Sequence, residues 1–285
     1  MYLLEALKTA EELKDKNLEA SIRVNLGNLL VGWGNYEDAV WNYNEAVKHA
    51  DEAGDDERTA QCRIGMATAA AFHGSPELAT GYAAKADKNI TALKDGKKKA
   101  LLHIKLGDVY GRMMDAAADR EQRGPLLVKS AEQYRKAITE ARKVGDEASQ
   151  AYSLGFLAGL YETEGRYDEA LQLSRAALDL AQKNNLPDAV YQWQWLVGRL
   201  HNLLGDRDRA IDSYQTAIRN LQSIRNDLAI VYGNVNSPTS FRDSVGPIYY
   251  ELADLILKKA DDTKKNEGLL VGRIEVIQKW GTAVE

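Results

Sequence analysis

The chain has 285 residues, 45% apolar and 28% charged, with a formal net charge of −5, one cysteine and only 5 prolines. This is a folded, helix-leaning composition without the net-positive footprint of a nucleic-acid binder, and Cys62 alone excludes an intrachain disulfide or a cysteine-rich zinc site. No run approaches the roughly 18 apolar residues of a membrane span, and the opening residues lack the basic-then-apolar order of a signal peptide, so the expectation is a cytoplasmic chain without a membrane partner.

The opening stretch LEALKTAEELKDKNLEASIRVNLG aligns with NEAVKHADEAGDDERTAQCRIGMA forty residues later, which puts Ala6 at the position of Ala46. Residues 1–19 therefore read as the second helix of a hairpin whose first helix is missing, and the natural N-terminus is expected upstream of Met1.

From residue 20 to 233 the sequence repeats with a period of about forty. Four segments share a small residue, a Gly seven positions later and a second small residue five beyond: Gly27, Gly34, Ala39; Ala67, Gly74, Ala79; Ala158, Gly165, Ala170; and Gly198, Gly205, Ala210. The small residues let paired helices approach closely, and the Gly supplies the positive φ that ends the first helix. Asn35, Ser75 and Asp206 follow that Gly and suit capping of the second helix, whereas Arg166 does not. Tyr43 and Ala46, Ala83 and Ala86, Ser174 and Ala177, and Tyr214 and Ala217 continue a packing face at helical spacing. Lys94 and Lys97 to Lys99 fall where a turn is due and read as a solvated loop.

The third repeat departs from the rest. Its first helix centres on Gly107, and Ser130 follows after 23 residues where the others need 12, so eleven residues are inserted near 112–125. Gly124-Pro125 is expected to break the chain just before the second helix, with the Ala-rich stretch before it lengthening the first. After Ala217 the last second helix is expected to run long, to a break at 234–238. Residues 234–285 then read as junction helices, FRDSVGPIYYELADLILKKA and LLVGRIEVIQKWGTAVE, the first holding a helix from Tyr249 to Leu257.

These residues resemble the tetratricopeptide repeat family in its longer variety of about forty residues. The resemblance implies an all-α fold, a right-handed α-α superhelix whose first helices line a concave groove. Groove positions lie one, four and five places beyond the small residue and a few before it. On that basis Asn28, Thr68, Asp108, Glu162, Gln192, Trp195, Arg199 and Asn202 are the candidate contacts for a protein or peptide partner, Arg199 for a carboxylate and Trp195 for an apolar side chain. A chaperone-tail clamp is not implied, because the corresponding places hold Val24, Asn28, Gly65, Leu101 and Lys105.

The junction is similar to the segment that joins such arrays to a CHAT domain, a caspase-related peptidase-like module. Phe241, Arg242, Pro247, Tyr249, Glu251, Leu252 and Leu255 carry that match, and Arg273 and Glu275 resemble the last helix before that domain. No catalytic function is expected of the chain itself, since Cys62, His49, His73, His103 and His201 form no nucleophile and base pair. No cofactor, metal or direct nucleic-acid contact is implied. The sequence thus points to a protein-binding and regulatory arm of a CHAT-type protease, with a freestanding scaffold as the alternative.

Overall fold

A computed structural model of the chain describes residues 2–224 and 241–263, and every regular element among them is an α-helix. The chain divides into two compact units, Met1–Ser149 and Gln150–Glu285. The first holds α1 (Tyr2–Leu13), α2 (Lys16–Gly32), α3 (Tyr36–Ala53), α4 (Asp56–Phe72), α5 (Pro76–Ala92), α6 (Lys97–Ala116) and α7 (Arg120–Lys143). α8 (Glu147–Thr163) starts in its last residues and belongs mostly to the second, with α9 (Tyr167–Lys183), α10 (Pro187–Leu203), α11 (Arg207–Ser223) and α12 (Phe241–Thr263). Helices pair as consecutive hairpins, and the first helix of one hairpin also packs on the next: α4 touches both α3 and α6.

Each expected turn glycine ends a first helix in the left-handed region, with φ of 75° at Gly34 and Gly74, 73° at Gly165 and 83° at Gly205. The chain reversal lets the next residue donate its N–H back into the helix at 2.9 Å, as from Asn35 to the Leu30 carbonyl and from Asp206 to that of His201. Asn35 and Asp206 also cap the following helix through their side chains. Ser75 makes no such bond; Pro76 at the first helical position presets the helical φ instead.

The small residues are fully buried, with Ala39, Ala67, Ala79, Ala158, Ala170 and Ala210 at 0% exposure. Their sizes are matched across each hairpin. A Cβ built on Gly27 would stand 2.6 Å from the Tyr43 ring, one on Gly107 2.6 Å from Tyr134, and one on Gly198 2.7 Å from Tyr214. Where the first helix carries Ala67 or Ala158, the second carries Ala83 or Ser174 at the same interval of 16. A Cβ built on Gly65, in the next first helix, would likewise stand 2.5 Å from the Tyr43 ring, so one ring sets two helix crossings.

Four expectations need correction. The chain does not break at Gly124-Pro125: Asp119 caps α7 through the Gln122 N–H at 2.8 Å, and α7 runs 24 residues with Pro125 inside. The proline leaves the exposed Glu121 carbonyl to water, and the insertion is taken up by lengthening α6 to 20 residues and α7 to 24, against 17 in α4 and α5. Lys97 to Lys99 open α6, and Lys99 is buried, its Nζ 2.9 Å from the Leu93 carbonyl. α11 is of ordinary length and stops at Ser223. The junction helix begins at Phe241 and contains Pro247; the expected break at 234–238 and the helix around Arg273 and Glu275 lie outside the described residues.

The size matching makes a quantitative prediction. Gly107→Ala should cost about 1–3 kcal/mol by overpacking against Tyr134, yet cost nothing or stabilise slightly in a Tyr134→Ala background, because Ala then brings its better helix propensity, worth about 1 kcal/mol. Urea unfolding of the four proteins of this double-mutant cycle checks it.

Candidate functional site: a polar row in the first unit

Three first helices bring residues of one register together. Asn28 on α2, Thr68 on α4 and Asp108 on α6 line a single open groove of about 320 Å³ in the first unit. Val24, Ile64 and Val109 add apolar patches, and Lys105, Arg112 and Phe72 complete the walls. The packing tyrosines reach this row with their hydroxyls: Tyr43 donates to Asn28 Oδ1 at 2.8 Å and Tyr134 to Asp108 Oδ1 at 2.7 Å. Each ring that fills a glycine's space therefore also orients a groove side chain. The Asn28 amide is left with its NH₂ available as a donor. Thr68 donates to its own helix, to the Ile64 carbonyl at 2.9 Å.

Burial pushes the Asp108 carboxyl above its ordinary value, and the Tyr134 hydrogen bond and the Arg112 charge only partly oppose it. Arg112 is exposed and stacks on Phe72, its guanidinium carbon 5.3 Å from the ring centre. Along α6 the groove thus presents cation, shielded carboxyl, cation. Arg112 and Phe72 were not among the candidates, although the same register, five places beyond Gly107 and Ala67, reaches them.

In the second unit the candidate residues pair with each other. Arg199 meets Glu162 in a two-pronged ion pair, Nε to Oε1 at 2.8 Å and Nη2 to Oε2 at 2.9 Å. Burial works against the Arg199 charge, but Glu162 outweighs it and holds the guanidinium protonated. The same guanidinium lies 5.0 Å over the Trp195 ring. Trp195 Nε1 in turn donates to Glu251 Oε2 at 2.7 Å, and the Tyr214 hydroxyl donates to the same oxygen at 2.7 Å. The carboxylate expected for Arg199 is therefore the chain's own, and the Trp195 ring carries a cation on its face. Gln192 is half-buried and Asn202 exposed on the same helix.

The junction residues divide. Tyr249 and Leu252 are buried, in one cluster with Tyr214, Leu221 and Ile224 of the last repeat and with Ile248 and Leu255 of α12. Phe241 and Arg242 open α12, and their side chains lie outside what the structure describes. Glu251, which ties α12 to Trp195 and Tyr214, was part of the junction motif but not a candidate contact.

Residues 147–223, the helices α8 to α11, match the tetratricopeptide repeat. That stretch is built of tetratricopeptide repeats. The solved structures agree in fold. BtubC (BKLC) from P. vanneervenii is similar at 19% identity and a TM-score of 0.66, over 79% of this chain and 90% of that one. A STAND protein of Pyrococcus horikoshii with a tetratricopeptide repeat sensor aligns at 16% identity and a TM-score of 0.60, over 91% of this chain and 38% of its own. A Rap protein complexed with competence and sporulation factor aligns at 16% and 0.56, over 97% and 80%. No curated protein matches by sequence.

In this tetratricopeptide fold the Cys62 thiol is fully buried, and burial raises its pKa to about 12. Two of the histidines have polar partners of their own: His49 meets Glu19 at 3.1 Å and His103 meets Gln133 at 2.7 Å. Among the described residues no group of His, Cys, Asp or Glu could hold a metal, and no helix is long and apolar enough to cross a membrane.

Two predictions follow from these contacts. A carboxyl whose folded pKa is raised stabilises the fold below its unfolded value, ordinarily 3.8, and that contribution is lost as pH rises through the raised one. Asp108→Asn keeps an acceptor for Tyr134 and should unfold at higher urea than wild type at pH 7, the gap closing as pH falls toward 4; an equal gap at both pH values would show that the carboxylate carries no penalty. Glu251→Ala leaves the Trp195 N–H and the Tyr214 hydroxyl without their shared acceptor and should cost about 1.5–3 kcal/mol, read as lost hydrogen-exchange protection across α12.

Proposed function

We propose that the chain is a regulatory protein-interaction module that holds an extended segment of a protein partner across α2, α4 and α6, and that α12 leads into a CHAT-type effector domain. The observation that carries the first part is the row of Asn28, Thr68 and Asp108. These residues come from three successive repeats into one open groove, flanked by Lys105 and Arg112 and floored by apolar side chains. An extended peptide matches such a row because it offers a backbone hydrogen-bonding group and a side chain at every step, while the apolar patches take alternate side chains. The partner anchors are placed in this groove and not at Arg199 and Trp195, whose polar groups are engaged by Glu162 and Glu251.

The regulatory part is supported by two neighbours of the same fold, one carrying its tetratricopeptide repeats as a sensor and one held in complex with competence and sporulation factor. The CHAT linkage is supported by the motif of residues 241–255 and by the way that helix is fixed. Its apolar face packs on the last repeat and Glu251 bonds to a groove-register tryptophan, so a shift of α10 would reach α12 directly. The coding sequence beyond Glu285 tests that linkage, and its absence leaves a freestanding scaffold.

The groove is tested by selecting a random-peptide display library on the whole chain. Enriched peptides should bind Asn28→Ala and Arg112→Glu at least about tenfold more weakly, a loss of about 1.4 kcal/mol, and Arg199→Ala as well as wild type. Peptides indifferent to the first pair would place the site elsewhere.

A further inference from the structure

The charges that line the groove stand on one of its three helices. On α2 and α4 the lining is apolar or neutral, as at Val24, Asn28, Ile64 and Thr68, whereas α6 contributes Lys105, Asp108 and Arg112. One end of the groove therefore offers apolar side chains and an amide, and the other end offers charge.

The two cations are exposed, and among the described residues neither has a carboxylate within ion-pair distance. Arg112 only stacks on Phe72. Outside the groove α6 and α7 do match cations: Lys99 pairs with Asp95 at 3.5 Å, Lys136 with Asp87 at 3.1 Å and Lys143 with Glu140 at 2.8 Å. Glu57 at the start of α4 goes to Lys98, at 3.0 Å, and not to Lys105. Asp108 compensates little, because its Oδ1 accepts from the Tyr134 hydroxyl at 2.7 Å and burial disfavours its charge. Even with Asp108 ionised, Lys105 and Arg112 leave this wall net positive in a chain whose formal charge is −5.

Lys105 and Arg112 are seven residues apart on α6, a rise of about 10.5 Å with Asp108 between them. A segment lying across α2, α4 and α6 crosses this helix between the two cations. Successive side chains of an extended chain point to opposite sides, so two neighbouring acidic residues at the crossing reach Lys105 on one side and Arg112 on the other. A nucleic-acid strand fits less well, since it carries a phosphate at every step and the lining on α2 and α4 has no cation to meet it.

We propose that the occupant of this groove is a protein segment with a direction: a neutral, apolar half on α2 and α4, and a pair of successive aspartate or glutamate residues where it crosses α6. The assignment rests on the peptide-holding role proposed for the groove and names the chemistry of the peptide. The carboxylates are those of side chains and not of a chain terminus, because the places of a chaperone-tail clamp hold Val24, Gly65 and Leu101.

The probes are the peptides that a random display library yields on the whole chain, resynthesised with amidated C-termini. Each is paired with a twin in which every Asp and Glu is replaced by Asn or Gln. Acidic residues should be enriched at one end of the selected sequences, and each parent should bind at least about tenfold tighter than its twin at low salt, a gap that narrows in about 0.5 M salt. The same replacement should cost a similar factor on Asn28→Ala but less than about twofold on Lys105→Gln/Arg112→Gln, a change of two exposed positions whose helicity circular dichroism checks. An equal cost on that double variant puts the acids elsewhere and overturns the proposal. Peptides that depend on Asn28 yet bind no tighter than their amide twins overturn the acidic segment and leave the peptide groove standing. Peptides indifferent to Asn28 and to the α6 pair, or no enriched peptide at all, overturn both. Tighter, Arg112-dependent binding of a single-stranded oligonucleotide overturns the proposal in favour of a nucleic acid.

Discussion

A phenol ring lying where a side chain would otherwise stand sets the spacing of the hairpins. With glycine on the first helix, the rings of Tyr43, Tyr134 and Tyr214 take the space a Cβ would need, buried to 2–4% exposure, and the helices of the hairpin meet at the distance the ring allows. Interiors pack at near-crystalline density, so the ring and the missing Cβ are one unit: neither can change size without the other. The repeats with Ala67 and Ala158 reach the same end with Ala83 and Ser174, two small residues in place of a large and an absent one.

That constraint is also what positions the chemistry. A tyrosine buried to its hydroxyl must find an acceptor: Tyr43 and Tyr134 find theirs on the groove face, in the Asn28 amide and the Asp108 carboxyl, and Tyr214 finds the Glu251 carboxylate on α12. Burial, joined by Asp108 at Tyr134 and by Glu251 at Tyr214, holds all three phenols well above the usual tyrosine range, so they act as fixed donors. Packing and polar orientation are therefore carried by the same side chain. The groove row is held by the core and does not depend on a mobile surface.

The same device gives different results in the two units. In the first, the acceptors Asn28 and Asp108 stay in an open groove beside Lys105 and Arg112. In the second, the position following Gly198 is an arginine, which cannot accept from Tyr214. It turns instead to Glu162, and the hydroxyl goes to Glu251 on α12. One change of residue type goes with a tie between the last repeat and the junction helix in place of an open groove position.

The sequence by itself determined the class of fold and the register. The intervals of seven and five residues identify turn glycines and helix contacts because a positive φ and a close helix approach each admit few residue types. The same register put Asn28, Thr68 and Asp108 on one row, and the structure gathers them. What a single sequence left open is which charged residues meet, since complementary pairs 37 residues apart, such as Glu162 with Arg199 and Tyr214 with Glu251, leave no local signature. It also left open the path of the insertion, because Pro125 breaks a helix only where the missing N–H is needed, and there the carbonyl it strands faces water. Tertiary structure alone decided which groove positions remain open, because pairing between repeats depends on the distance between side chains that the packing tyrosines fix.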